Sequence, residues 1–241
     1  MKKIKNLSES SFLKLFFGFF TLCFLVAAFC MPDRANMLTG LIRIISSPTL
    51  SSTNFFSLGG YAGTFLNMGL LAMVMLLLYH FSGAAVNNVS TMAFLLTLGF
   101  GSWGINILNM WPSIFGVMIY GLVKKEKQGS LVNAMLFSTG IAPLITDLLI
   151  RYPNAEVVGF NLPGLGLALA VGFVIGFFLP AGLAHSPKVH KGFDLYSAAL
   201  PIGMTAFLLK GVLFETMGVA LPSAISDMKV TSQLTANIFC G

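Results

Sequence analysis

Few residues in this sequence are able to do chemistry, and those few lie in apolar company. Asp147 and Lys210 are ionisable groups inside long apolar runs, and Asn67, Asn106 and Asn109 bring amides into the same surroundings. An ionisable group at membrane depth is costly and is a functional candidate by default. Asp147 has Thr146 beside it and Pro143 four residues before it. A proline removes one N–H from the helical ladder, so the Thr139 carbonyl is expected to lose its usual donor. Asp147, Thr146 and that carbonyl would then form a cation or proton site. The plainer reading, and the preferred one, is an interfacial carboxylate facing water beside Arg151, four residues on and on the same helical face. Lys210 lies deep in a later run; Glu215 is too far round the helix to pair with it, so it would meet another helix or snorkel along its stem.

The amides carry two readings. Asn106 and Asn109 share a helical face just before Trp111-Pro112, and their donors and acceptors suit a polar solute or a partly dehydrated ion. Helix–helix hydrogen bonding is the alternative; it is preferred for Asn67, while both stand for Asn106 and Asn109. Around these amides the backbone is expected to break, at Gly59, Gly60 and Gly63, at Gly101, Gly104 and Pro112, and at Pro143. Gly172 and Gly176 form a G-x-x-x-G and are expected to let helices pack closely.

Other chemistry has weaker support. His185, His190 and Asp194 fall in a loop rich in lysine and proline, and no metal or cofactor is expected there. Cys23, Cys30 and Cys240 show no paired spacing. No H-E-x-x-H, G-x-S-x-G or phosphate-loop pattern occurs, so an enzyme is not expected; an intramembrane enzyme acting on a lipid is the third choice.

The elements that must hold these residues follow from composition. Of 241 residues, 56% are hydrophobic and 9% charged. A soluble domain carries about 25% charged residues, so a soluble enzyme, a disordered chain and a coiled coil are excluded. The net charge of +6 does not point to nucleic acid, because the lysines cluster beside apolar runs: Lys2, Lys3, Lys5 and Lys14, then Lys124, Lys125 and Lys127, then Lys188 and Lys191. That spacing fits cytoplasmic loop anchors.

The expected fold is all-α, a polytopic transmembrane bundle of about seven spans with interrupted or re-entrant helices. The spans fall near residues 12–31, 61–81, 89–103, 106–122, 131–150, 164–183 and 195–218, since a crossing needs about 20 apolar residues. Residues 33–58, with Arg34 and Arg43, read as an interfacial or partly re-entrant stretch. Residues 89–122 read as either two crossings or one crossing with a re-entrant piece; two are favoured because they keep the Lys124–Lys127 loop on the side of the N-terminus.

Several strings carry a resemblance: Leu58-Gly-Gly-Tyr-Ala-Gly-Thr-Phe-Leu-Asn67-Met-Gly-Leu70, Asn106-Ile-Leu-Asn109-Met-Trp-Pro112, Ala142-Pro143-Leu-Ile-Thr146, Gly176-Phe-Phe-Leu-Pro180 and His190-Lys-Gly192-Phe-Asp-Leu-Tyr196. In this order, through most of residues 30–215, the chain resembles a bacterial family of multi-pass membrane proteins catalogued as a domain of unknown function. The resemblance implies an integral membrane protein, often longer than this chain, and brings no substrate, cofactor or catalytic residue.

The expectation is therefore one transmembrane domain over 1–241 with a flexible tail at 219–241, one half of a longer architecture being the alternative. It would sit in a bacterial inner membrane with its N-terminus in the cytoplasm. The lipid bilayer is its partner, with a homo-oligomer or second half-domain possible and no nucleic acid. A transporter or permease-like protein for a small polar solute or ion leads, and a non-transporting scaffold or assembly partner is the alternative.

Overall fold

A computed structural model describes residues 8–49, 53–154, 157–191 and 198–216. Asp194, Cys240 and the 219–241 tail lie outside the described residues, as do the side chains of His190 and Lys210. The described chain is helical, with no strand among the described residues: α1 (Glu9–Cys30), α2 (Met37–Ser46), α3 (Phe55–Phe81), α4 (Asn88–Phe100), α5 (Trp111–Lys124), α6 (Gln128–Ser138), α7 (Ala142–Arg151), α8 (Leu162–His190) and α9 (Ala199–Lys210).

Helix starts are set by local side chains. Ser8, Asn54, Asn87 and Asn161 each place a side-chain oxygen on a backbone N–H of the first turn, opening α1, α3, α4 and α8. Pro112 and Pro143 sit in the first turns of α5 and α7, where a missing N–H costs nothing. A short 3-10 turn, Thr139–Ile141, joins α6 to α7, and there the Ala142 N–H donates to the Thr139 carbonyl. The free carbonyl expected at Thr139 is thus taken up by the tighter turn.

Among the described residues, four stretches are long and apolar enough to cross a membrane: Glu9–Cys30, Phe55–Phe81, Gln128–Arg151 and Leu162–Val189. The chain is an all-helical protein of membrane type with these four candidate spans. Asn88–Phe100 and Ala199–Leu213 are shorter apolar helices, and α5 has 14 residues. The two crossings expected at 89–103 and 106–122 take the form of two half-length helices, α4 and α5, on either side of an irregular segment, 101–110. At about 1.5 Å per residue each reaches some 20 Å, less than the ~30 Å of a hydrocarbon core.

Contacts at the helix ends order the bundle. Ser10 accepts from the Val86 N–H at 3.0 Å, and Gly129 packs on the Ser82–Ala84 backbone, so the start of α1 and the α3–α4 and α5–α6 connections share one end, with Lys124, Lys125 and Lys127. At the other end the Phe55 N–H donates to the Ser102 carbonyl at 3.1 Å, and Thr49 donates to the Pro143 carbonyl at 3.3 Å. The α4–α5 pair is thus a helical hairpin whose open end is the lysine end.

The larger core joins α1, α3, α4, α5 and α6, where Phe17 stacks on Phe94 with centroids 4.1 Å apart and leans on Tyr79. A smaller core joins α7 to α8 through Ile145, Leu148 and Ile175. The outward face of α1 carries exposed Leu15, Phe19 and Leu22, as expected of a face turned to lipid. Within residues 33–58, α2 is a ten-residue helix that turns Gly40 and Ile44 inward and Leu38 and Ile42 outward. The G-x-x-x-G of α8 serves close packing: Gly176 lies directly against the Ser113 carbonyl of α5, and Gly116 lies against the Phe173 carbonyl.

Candidate functional site

Of the expected breaks, Gly101 and Gly104 lie in the hairpin tip, where Gly104 meets Pro143. Beyond its interruption at Gly60, α3 presents Asn67 toward segment 101–110. The Asn67 Nδ2 donates to the Gly101 carbonyl at 2.7 Å and the Ile105 carbonyl at 2.9 Å, while its Oδ1 accepts from the Ile107 N–H at 3.1 Å. One side chain therefore satisfies three backbone groups that no helix can reach, a requirement where water is absent. Asn67 is fully buried.

Asn106 and Asn109 fold the tip on itself. Asn106 Oδ1 accepts from the N–H groups of Leu108 and Asn109, both at 2.9 Å, and Asn109 Oδ1 accepts from the Asn106 N–H at 2.8 Å. The Asn109 Nδ2 then reaches outward, to the Gly104 carbonyl at 2.9 Å and to the Thr146 hydroxyl of α7 at 2.8 Å. Asn67, Asn106, Asn109 and Thr146 are thus brought together in one buried knot between α3, the hairpin and α7. The one amide nitrogen of the three without a hydrogen-bond partner among the described residues is Asn106 Nδ2.

Asp147 follows Thr146 and turns to Arg151, whose Nε lies 3.0 Å from its carboxylate. The i, i+4 pairing read from the sequence is present, but it does not face water: both side chains are about 5% exposed. Lys210 closes α9, and its side chain lies outside the described residues, so no place in the knot is assigned to it.

The glycine and proline breaks divide by role. Gly60 takes φ +73° within α3, a conformation that side-chain-bearing residues rarely adopt, and there the helix is interrupted and restarts. The restart is capped by Asp33, whose two carboxylate oxygens accept from the Ala62 N–H at 3.1 and 3.3 Å. Gly59 and Gly63 take the backbone of α2 against them, whereas Gly101 and Gly104 lie in the tip and Gly104 meets Pro143. Sequence reasoning missed Asp33. The available signal was an acidic residue just after the first apolar run with a double glycine downstream, although nothing local states that they meet.

Beside the knot, α5, α7 and α8 enclose a groove of about 740 Å³. Its walls include Trp111, Pro112, Phe115, Ile145 and Leu165, and among the described residues its polar groups are Asn109, Asn161 and the Trp111 indole N–H. Asn161 is spent on the Gly164 N–H and on the Tyr152 and Gly159 carbonyls. This space is shaped for hydrocarbon rather than for a hydrated ion. No group of three or more metal-ligating side chains gathers among the described residues.

Residues 33–215, about three quarters of the chain, match the family described as a protein of unknown function (DUF1576). The chain belongs to that family. No curated protein and no solved structure matches it.

Proposed function

We propose that this member of the DUF1576 family is a permease-like protein that moves a small polar solute or ion, with the α4–α5 hairpin as the element that opens the path. The observation that carries this reading is an irregular, ten-residue tip held inside the protein by the Asn67 amide of α3 and by its own Asn109, whose amide donates to the Thr146 hydroxyl of α7. Broken helices at membrane depth are the usual way transporters place backbone groups on a solute. In this reading Asn67 and Asn109 close the path by holding the tip against α3 and α7, and the path opens when those bonds exchange for bonds to the solute. The lysine-rich end lies in the cytoplasm of a bacterial cell in this reading, following the positive-inside bias.

A second reading is favoured by one specific observation. Every polar atom of Asn67 is committed to protein backbone. A non-transporting scaffold would use the knot only to fix its shape.

Flux separates the two. Purified protein in liposomes is expected to pass at least one member of a panel of monovalent ions, amino acids and small sugars, and Asn109→Ala is expected to alter that flux. Cysteines placed at Asn106 and Leu108 should become reactive to aqueous reagents when the transported solute is present. No flux across the panel, together with lasting protection of both positions, would leave the scaffold.

A further inference from the structure

A second pocket lies at the lysine end, well away from the hairpin tip. It holds about 370 Å³, within the range of small-ligand sites, and is enclosed by α4, α5, α6, α8 and the start of α9. Much of its wall is apolar, with Met92, Phe137, Pro180 and Leu183 among the lining residues, while its polar side chains are Tyr120 of α5, Glu126, Ser130 and Asn133. Glu126 precedes α6 by two residues, and Ser130 and Asn133 lie three apart on α6, so they share a face.

These groups are held ready. Asn133 Oδ1 accepts from the buried Tyr79 hydroxyl at 2.7 Å, which fixes the amide and turns Nδ2 away from Tyr79; nothing among the described residues accepts from that nitrogen. Ser130 donates to the Lys127 carbonyl at 2.7 Å, leaving its oxygen as an acceptor. No cation pairs with the Glu126 carboxylate among the described residues, although Lys124, Lys125 and Lys127 surround it in sequence; Lys125 takes φ +57°, and none of the three lines the pocket. A carboxylate and a hydroxyl oxygen accept, one amide N–H donates, and the Tyr120 phenol with apolar side chains lines the rest.

We propose that this pocket binds a primary ammonium group carried on an apolar body, with an oxygen acceptor a few bonds from the nitrogen. Glu126 and Ser130 take the ammonium N–H groups, Asn133 Nδ2 donates to the acceptor oxygen, and the apolar body lies along Met92, Phe137 and Leu183. Two sources offer this chemistry at a membrane surface: an ethanolamine phospholipid and a free amphiphilic amine. The site is independent of the permeation reading, since no residue of the amide knot lines it.

Native mass spectrometry of the full chain in non-ionic detergent tests the proposal. Ethanolamine, choline and glycerol phospholipids of equal chain length are titrated separately, and 2-amino-1-phenylethanol is titrated as the free amine. The expected result is a preference of about tenfold for a ligand bearing the primary ammonium, the size of a charge-assisted hydrogen bond. The phospholipid or the free amine, whichever shows it, names the source. Glu126→Gln should erase that preference and Asn133→Ala weaken it, while Asn109→Ala in the knot leaves it unchanged. Glu126 is exposed, so its substitution does not threaten the fold, and a melting curve checks Asn133→Ala. Equal binding of all four ligands, or a preference that survives Glu126→Gln, overturns the proposal.

Discussion

Asn67 does for the hairpin tip what a helix would otherwise do for itself, and its replacement tests that directly. Asn67→Asp keeps the shape but turns a double donor toward two carbonyls into an acceptor. Each buried group left unpaired costs about 1–3 kcal/mol, so a loss of about 3 kcal/mol is expected, read by unfolding in detergent. Faster hydrogen exchange confined to 101–110 would accompany it. The Asp147–Arg151 pair behaves differently, because both charges are buried together. Asp147→Asn and Arg151→Gln should each cost about 3 kcal/mol, and the double variant clearly less than the two together, as a double-mutant cycle would record. The pairing of Asp147 with Arg151 was legible from their spacing alone. The partners of Asn67 were not, since Gly101 and Ile105 lie more than thirty residues away and only the folded chain brings them near.

Among the elements, α8 carries glycines of two kinds. At Gly176 the neighbouring α5 backbone occupies the space a side chain would need, whereas Gly166, on the same helix, has nothing within 4 Å. Gly176→Val should push α5 from α8 and cost about 1–3 kcal/mol, while Gly166→Ala should be silent or stabilise by up to about 1 kcal/mol through helix propensity. A melting comparison of the two variants checks this. In α3, Asp33→Ala should lower stability by about 1 kcal/mol through the lost cap at Ala62, and Asp33→Asn should retain most of it because one side-chain oxygen still accepts. The apolar runs and the G-x-x-x-G were readable because they are periodic and local. The restart at Gly60 was readable as a break, but its cap was not, because Asp33 and Ala62 are joined only by the return of the chain through α2.

Across the whole molecule, the contacts between helix ends define two faces. Once Cys23, Cys30 and Cys240 are replaced, single cysteines at Lys125 and at Ser47 should react with impermeant reagent from opposite sides of the membrane. Reaction from the same side would discard the arrangement. Hydropathy gave the class of protein readily, because a chain with so little charge has no other solvent to choose. It did not give the number of complete crossings, since a half-length helix and a spanning helix have the same composition and differ only in where they stop.

The brevity of α4 and α5 bears on how the protein is made. Helices of 13 and 14 residues, each too short to hold itself across a bilayer, are synthesised directly after α3, the element that carries Asn67. The ribosome therefore delivers the anchor before the piece that needs it, and the hairpin enters the lipid against a dock already standing. Moving these helices ahead of α3 in a permuted gene would strand them at the translocon, with every final contact still encoded and no order in which to make them.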